Sequence, residues 1–172
     1  MKRLLAAVPI ACIFLASCEF LTFLKPTKTF SGSGGAVESG YNYFPVSADD
    51  TGSIVSIDEV TLDGFIYPTA SDLTISIQKV GGSTVTLVSQ KGNANDYISD
   101  YIFVDDTDVD GLPRIVTWSG DVVPETYQAE GDFDDFNGDE LKGTWRLVIF
   151  NSSPTTGGNL NSWSILIQYE EE

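Results

Sequence analysis

Apolar and polar residues alternate along much of the chain, and this alternation predicts β-strands. In DLTISIQKV, Leu73, Ile75 and Ile77 fall on one face and polar residues on the other, which is the period of two of a half-buried strand. The same period recurs in STVTLVSQ, GTWRLVIF and NSWSILIQY. No window of useful length has the period of an amphipathic helix. The pattern therefore predicts an all-β domain.

The residues between these segments favour turns. Gly81 and Gly82 separate two of the predicted strands, which indicates a hairpin. Residues 154–159 provide the turn between the last two. Trp145 and Trp163 alternate in register with aliphatic residues, so we expect both in the core. Short strands separated by Gly, Asp and Asn clusters predict a single all-β domain, an antiparallel jelly-roll β-sandwich.

The N-terminus has the pattern of a secretory signal. Lys2 and Arg3 precede an apolar run over residues 4–16, which is shorter than the roughly 20 apolar residues that a membrane-spanning helix needs. The run ends in LASC at Cys18 and closely resembles the lipobox of bacterial lipoproteins. That resemblance implies removal of residues 1–17, followed by acylation of Cys18 with fatty acids such as palmitate. We expect a lipid-anchored envelope protein, and Glu19 favours the outer over the inner membrane.

The segment after the signal is rich in Gly and Ser and contains Pro26. It has little periodic hydrophobicity, so residues 18–40 are predicted to form a flexible tether. Residues 41–172 have the size of one compact domain. Cys12 leaves with the signal and Cys18 carries lipid, so no disulfide is expected in the mature domain.

Acidic residues outnumber basic ones, 25 to 9, and the formal charge is −16. Loss of the basic signal makes the mature chain more negative still. Such a chain repels nucleic acid and anionic membrane surfaces, so neither is expected as a partner. The many carboxylates also offer hard oxygen ligands to cations such as Ca²⁺.

Two acidic clusters are candidate metal sites. The first lies in DDTDVDG and begins like the calcium loop of an EF-hand. An EF-hand is rejected, because its twelfth position, counted from Asp106, is Thr117 and the flanking segments are predicted strands. A strand-flanked Ca²⁺ loop and a solvated acidic turn both remain open. The candidate ligands are Asp105, Asp106, Asp108 and Asp110, and a second candidate site contains Asp132 and Asp134.

Several short motifs occur in an order that resembles the P domain, also called the P/Homo B domain. This domain follows the subtilisin-like catalytic domain in proprotein convertases and in several bacterial proteases. The motifs are a D-L strand starting at Asp72, a hairpin, Phe103 shortly before paired acids, G-T-W at Trp145, and G-x-L-x-x-W ending at Trp163. The similarity covers residues 54–169.

The resemblance implies a jelly-roll β-sandwich of the galactose-binding-domain-like type. It also implies an accessory role, because the P domain stabilises the serine endopeptidase that it accompanies. P domains often bind Ca²⁺ where the D-L strand meets the paired-acid loop, which adds Asp72 to the expected ligands. A non-catalytic module that binds or stabilises an envelope protein, such as a protease, is the function this favours.

Catalysis is not expected of this chain. It contains no histidine, so these residues cannot form a Ser-His-Asp or Cys-His arrangement. The mature domain has no free cysteine nucleophile. Acid clusters in loops are more often solvated or metal-bound than catalytic.

A carbohydrate-binding module is the alternative function. Trp118 closes a predicted strand beside a turn in PRIVTWSGD, where an exposed indole would be able to stack on a sugar ring. Packing in the core is the other interpretation of Trp118. A glycan partner therefore stays open beside a protein partner.

Overall fold

The structure is a computed structural model that describes residues 25–92, 96–105 and 126–171. Strands dominate these ranges, and the described helices are two short 3₁₀ helices, Ala70–Asp72 and Phe133–Phe136. The strands are β1 (Thr27–Val37), β2 (Gly40–Ala48), β3 (Ser53–Tyr67), β4 (Leu73–Lys79), β5 (Thr84–Ser89), β6 (Tyr97–Val104), β7 (Thr126–Gln128), β8 (Gly143–Asn151) and β9 (Gly158–Glu170).

Two sheets pack face to face and form a β-sandwich. The first sheet has the order β1-β9-β3-β6-β7, and the second has the order β2-β8-β4-β5. Pairing is antiparallel except between β6 and β7, which run parallel. The predicted all-β sandwich is confirmed.

The core lies between the inner faces of the two sheets. Trp145 is fully buried and Trp163 is 1% exposed, so the prediction that both tryptophans are core residues is confirmed. On β4, the apolar positions are buried while Thr74 and Gln78 face outward and are half-buried. Alternation within each strand thus determines which side chains enter the core.

Turns join the strands in two ways. β4 and β5 pair directly across Gly81 and Gly82, so the predicted hairpin is confirmed. β8 and β9 also follow each other in the chain, but they belong to different sheets. The connection over residues 152–157 therefore carries the chain from one sheet to the other, and the last two residues of the turn predicted over 154–159 belong to β9.

The Gly-rich segment predicted as part of the tether belongs to the sandwich. β1 pairs with β9 along its length, so the boundary predicted at residue 40 is too far along the chain. A Cβ on Gly32 would collide with the indole of Trp163, and one on Gly34 would collide with the backbone of Leu160. The glycines allow this close approach of β1 to β9; here they serve packing, whereas the composition indicated flexibility.

A buried amide closes the turn after β8. Asn151 is 1% exposed, and its Nδ2 donates to the carbonyl of Thr156 at 2.7 Å. Its Oδ1 accepts from the Tyr67 hydroxyl at 2.6 Å and from the backbone N–H of Ser153 at 2.8 Å. Burial, and then the nearby charge of Asp72, raises the pKa of Tyr67 to about 12, so its hydroxyl stays a donor.

Replacement of this amide by a carboxyl tests the network. We expect Asn151→Asp to lower the free energy of unfolding by about 1–3 kcal/mol at neutral pH, because the Thr156 carbonyl loses its closer donor and keeps only the longer bond from the Tyr67 hydroxyl at 3.3 Å. Burial raises the pKa of the new carboxyl in the folded state, so the loss should shrink as pH falls and the protonated acid regains a donor. Urea unfolding at pH 4 and pH 7.5 measures both effects. An unchanged stability at pH 7.5 would contradict this account.

Candidate metal site at the end of the first sheet

The parallel pairing of β6 and β7 brings two distant acidic segments together. Ile102 pairs with Thr126 and Val104 with Gln128, so the C-terminal ends of both strands lie at the same end of the sheet. Asp105 directly follows β6. The backbone N–H of Ala129, just after β7, donates to the carbonyl of Val104, and the chain then reaches the acids of the second predicted cluster.

Three carboxylates meet at this end of the sheet. One oxygen from each of Asp105, Asp132 and Asp134 lies within 4.8 Å of the other two. Asp105 is 3% exposed, whereas Asp132 and Asp134 are exposed. The sequence treated these residues as parts of two separate sites, and the structure places them in one. We call Asp105, Asp132 and Asp134 the acid triad.

The 3₁₀ helix at Phe133–Phe136 holds two members of the acid triad in place. Phe133 and Phe136 are buried, which fixes the helix against the core. Asp132 caps it, since its Oδ1 accepts from the backbone N–H of Asp134 at 2.8 Å. Oδ1 of Asp134 accepts from the Asn137 amide at 2.6 Å. Each of these carboxylates keeps its other oxygen for a further interaction.

The charges of the acid triad favour a bound cation. The three carboxylates carry like charges close together, so they repel one another when no cation is bound. Ca²⁺ accepts about six to eight oxygens from carboxylates, carbonyls and water, in flexible geometry. The acid triad supplies carboxylates of this type, and water or backbone carbonyls would complete the shell.

Asp72 lies far from the acid triad. Its carbonyl accepts from the backbone N–H and hydroxyl of Ser152, close to where Tyr67 of β3 pairs with Tyr97. That is the beginning of β6, whereas Asp105 follows its end. At a rise of about 3.3 Å per residue, the strand separates the two by more than about 20 Å. Asp72 and Asp105 therefore do not share one ion, which corrects the ligand set implied by the resemblance.

The remaining predicted site residues lie outside the described ranges. These residues are Cys18, Asp106, Asp108, Asp110 and Trp118. Their assignments stay predictions. Among the described residues, no helix is long and apolar enough to cross a membrane.

Comparison with known proteins identifies structural neighbours only. No family model and no curated protein sequence matches the chain. The structure of the complex between the Aeromonas sobria serine protease and its chaperone aligns with 87% of this chain and 28% of the matched chain, at 14% identity and a TM-score of 0.52. The structure of the Aeromonas sobria serine protease itself aligns with 86% of this chain and 28% of that chain, at 14% identity and a TM-score of 0.49. FlhE aligns with 84% of this chain and 98% of its own, at 13% identity and a TM-score of 0.42.

The class defined by these results is a single-domain β-sandwich. The chain spans 28% of the protease-complex chain that it matches, and at this identity the likeness concerns the fold. A fold of this kind accompanies many functions. Membership of the P-domain family stays a prediction.

Proposed function

We propose that the protein is a non-catalytic, P-domain-like module of a bacterial envelope lipoprotein that binds or stabilises another envelope protein, such as a protease. Ca²⁺ bound at the acid triad stabilises it. The observation that carries the proposal is the meeting of Asp105, Asp132 and Asp134 within 4.8 Å at one end of the sandwich. Asp106, Asp108 and Asp110 lie within the five residues after Asp105 in the chain and are additional candidate ligands.

Two observations support an accessory role. The chain contains no histidine, so it has no general base of the kind that activates a serine or cysteine nucleophile in the common triads. Its fold is similar to part of a chain in a structure of a serine protease with a chaperone. A β-sandwich without catalytic machinery that accompanies a separate enzyme accounts for both.

The N-terminal motif supports the location. Acylation of Cys18 with several fatty acyl chains would give stable anchoring, since a single chain binds membranes only marginally. The strongly acidic domain would then be repelled by anionic headgroups and held away from the bilayer surface. We propose the outer membrane as its site, because Glu19 does not match the inner-membrane retention pattern.

A capture experiment tests the proposed function. The full-length protein with a C-terminal tag is purified in detergent and incubated with solubilised envelopes of the bacterium that encodes it, in Ca²⁺ or in EGTA. We expect a protease to be enriched in Ca²⁺, and casein hydrolysis in the eluate but not in the purified protein alone. The double variant Asp132→Asn, Asp134→Asn should capture less.

The matched control is Asp135→Asn. Asp135 is an exposed acid of the same 3₁₀ helix but is outside the acid triad, so its replacement should leave capture unchanged. Casein hydrolysis that stays with the protein through repurification and disappears on a single acidic substitution would identify an enzyme instead. Equal capture in Ca²⁺ and in EGTA would show that partner binding does not depend on an ion at the acid triad.

A further inference from the structure

The outer edge of β1 carries an open row of backbone hydrogen-bonding groups. β1 has 11 residues and is an edge strand of the first sheet. It pairs with β9 in a continuous register and with no other described strand. An edge strand of this kind presents N–H and C=O groups that can pair with a further strand.

The alternation of the β1–β9 ladder identifies the backbone groups that face outward. The backbone N–H of Tyr169 donates to the carbonyl of Pro26 at 3.0 Å, so these two residues form a bonded pair. In an antiparallel pair of strands, bonded residues alternate with residues whose N–H and C=O point away from the partner strand. Steps of two from Pro26 along β1 give the bonded positions, and the positions between them face outward. These include Thr29, Ser31 and Ser33, whose side chains are also exposed.

The other described edge strands are protected against pairing, whereas β1 is not. β2 contains Pro45, which has no N–H to donate and is a common device for blocking an edge. β7 has only three residues. On β5, two backbone N–H groups of the segment after β7 donate to the carbonyls of Thr86 and Leu87. The charged side chain of β1, Lys28, is bound by Asp50 at 2.6 Å, so it does not guard the edge.

Charge determines the kind of strand that fits this edge. Near the start of β1, Asp50 contacts Lys28 and Asp49 lies beside Asp50 in the chain. At the other end, the exposed Glu38 directly follows β1. A second copy of this chain would bring the same acids and the same net charge of −16, so repulsion disfavours it. A segment with Lys or Arg at its ends would instead meet opposite charges at both ends of β1.

We propose that β1 is the edge on which the protein partner docks, by adding an uncharged extended segment flanked by Lys or Arg as a sixth strand of the five-stranded first sheet. This inference rests on the proposed function, that the protein binds another envelope protein, and it specifies the surface and the chemistry of that contact. Main-chain hydrogen bonds to the outward-facing positions of β1 supply the affinity, and Glu38 and Asp49 attract the basic flanks. The acid triad lies beside β6 and β7 at the opposite side of the same sheet, so the two sites can be tested separately.

Photocrosslinking identifies the segment that docks. A photocrosslinking residue replaces Ser33 in the full-length protein and is activated in the bacterium that encodes it, and mass spectrometry then identifies the attached segment. We expect an uncharged segment of another envelope protein, flanked by Lys or Arg. This segment is then synthesised as a peptide and titrated calorimetrically into the purified full-length protein in detergent. Replacement of its basic flanks by Glu should weaken binding by about tenfold or more, because like charges then meet at both ends of β1.

Backbone and side-chain contributions are separated at one position. Ser31→Pro removes an outward-facing N–H, which edge strands tolerate because that group is not part of the existing ladder, and Ser31→Ala removes only the hydroxyl. We expect the proline variant to bind the peptide about tenfold more weakly, and the alanine variant to bind it like the wild type. In the wild-type protein, hydrogen exchange at the amides of Thr29, Ser31 and Ser33 should slow when the peptide saturates the site. This second measurement decides the matter even if Ser31→Pro fails to fold.

Three results would overturn docking at β1. They are a crosslink from position 33 to a second copy or to no protein, a peptide that leaves the exchange of the outward-facing amides unchanged, and equal affinity of folded Ser31→Pro and Ser31→Ala. Capture of the partner from envelopes distinguishes this failure from that of the proposed function. Capture that persists in Ser31→Pro would reject the β1 edge alone, whereas no capture by the wild-type protein would reject the proposed function as well.

Discussion

Transfer of the protein from EGTA to millimolar Ca²⁺ is expected to raise its melting temperature by about 5 °C or more. We expect the ion to bind the acid triad in the folded state, because the unfolded chain does not hold Asp105 near Asp132 and Asp134. A hundredfold excess of Ca²⁺ over its Kd then stabilises the fold by about 2.7 kcal/mol. Calorimetry at constant ionic strength measures the shift. Mg²⁺ should produce a smaller one, because it requires octahedral geometry and releases water reluctantly.

Substitutions that preserve shape separate calcium binding from packing. In Asp132→Asn, Asp134→Asn, the remaining side-chain oxygens can still cap the 3₁₀ helix and accept from Asn137, but two charges are lost. We expect the calcium shift to shrink and the stability in EGTA to rise, as repulsion with Asp105 falls. Asp135→Asn should retain the full shift. An unchanged melting temperature of the wild-type protein in Ca²⁺ would mean that these acids form a solvated acidic turn.

Replacement of Cys18 is expected to abolish membrane association altogether. Each buried methylene of an acyl chain contributes about 0.8 kcal/mol to membrane binding, so the loss of several chains removes the anchor. Cys18→Ser should therefore appear in the soluble fraction or remain as unprocessed precursor. Fractionation, detergent phase partitioning and mass spectrometry of the N-terminus measure location and modification.

Cys12→Ser is the matched control for this experiment. Cys12 is the other cysteine of the chain and lies within the predicted signal, so its replacement should leave processing and anchoring intact. A wild-type mature protein that is soluble and carries an unmodified N-terminus would disprove lipidation at Cys18.

Strand identity and the buried faces follow from local sequence alone. Trp145, Leu147 and Ile149 alternate along β8, and all three are fully buried, as the period of two predicts. The same holds for Ile165 and Ile167 on β9. This information is local because successive side chains of a strand point to opposite sides, whatever its neighbours are.

Composition did not predict that the Gly- and Ser-rich segment forms β1, because its glycines serve close packing. A Gly- and Ser-rich segment fits a flexible linker, and it fits equally well a strand that lies very close to its neighbour. At Gly34 the adjacent backbone of Leu160 leaves no room for a side chain. Only the pairing of β1 with β9 distinguishes the two cases, since the space around a glycine belongs to the tertiary structure.

The sequence by itself determined the all-β class, the apolar face of each major strand and the supply of carboxylates for a cation. Only the tertiary structure decided which acids meet: the parallel pairing of β6 with β7 joins Asp105 to Asp132 and Asp134 and leaves Asp72 at the far end of β6. Strand order likewise placed Arg146 of β8 between Tyr43 and Gln78. Periodicity describes each strand separately, whereas a site arises from contacts between strands, and those depend on how all the apolar faces are buried together.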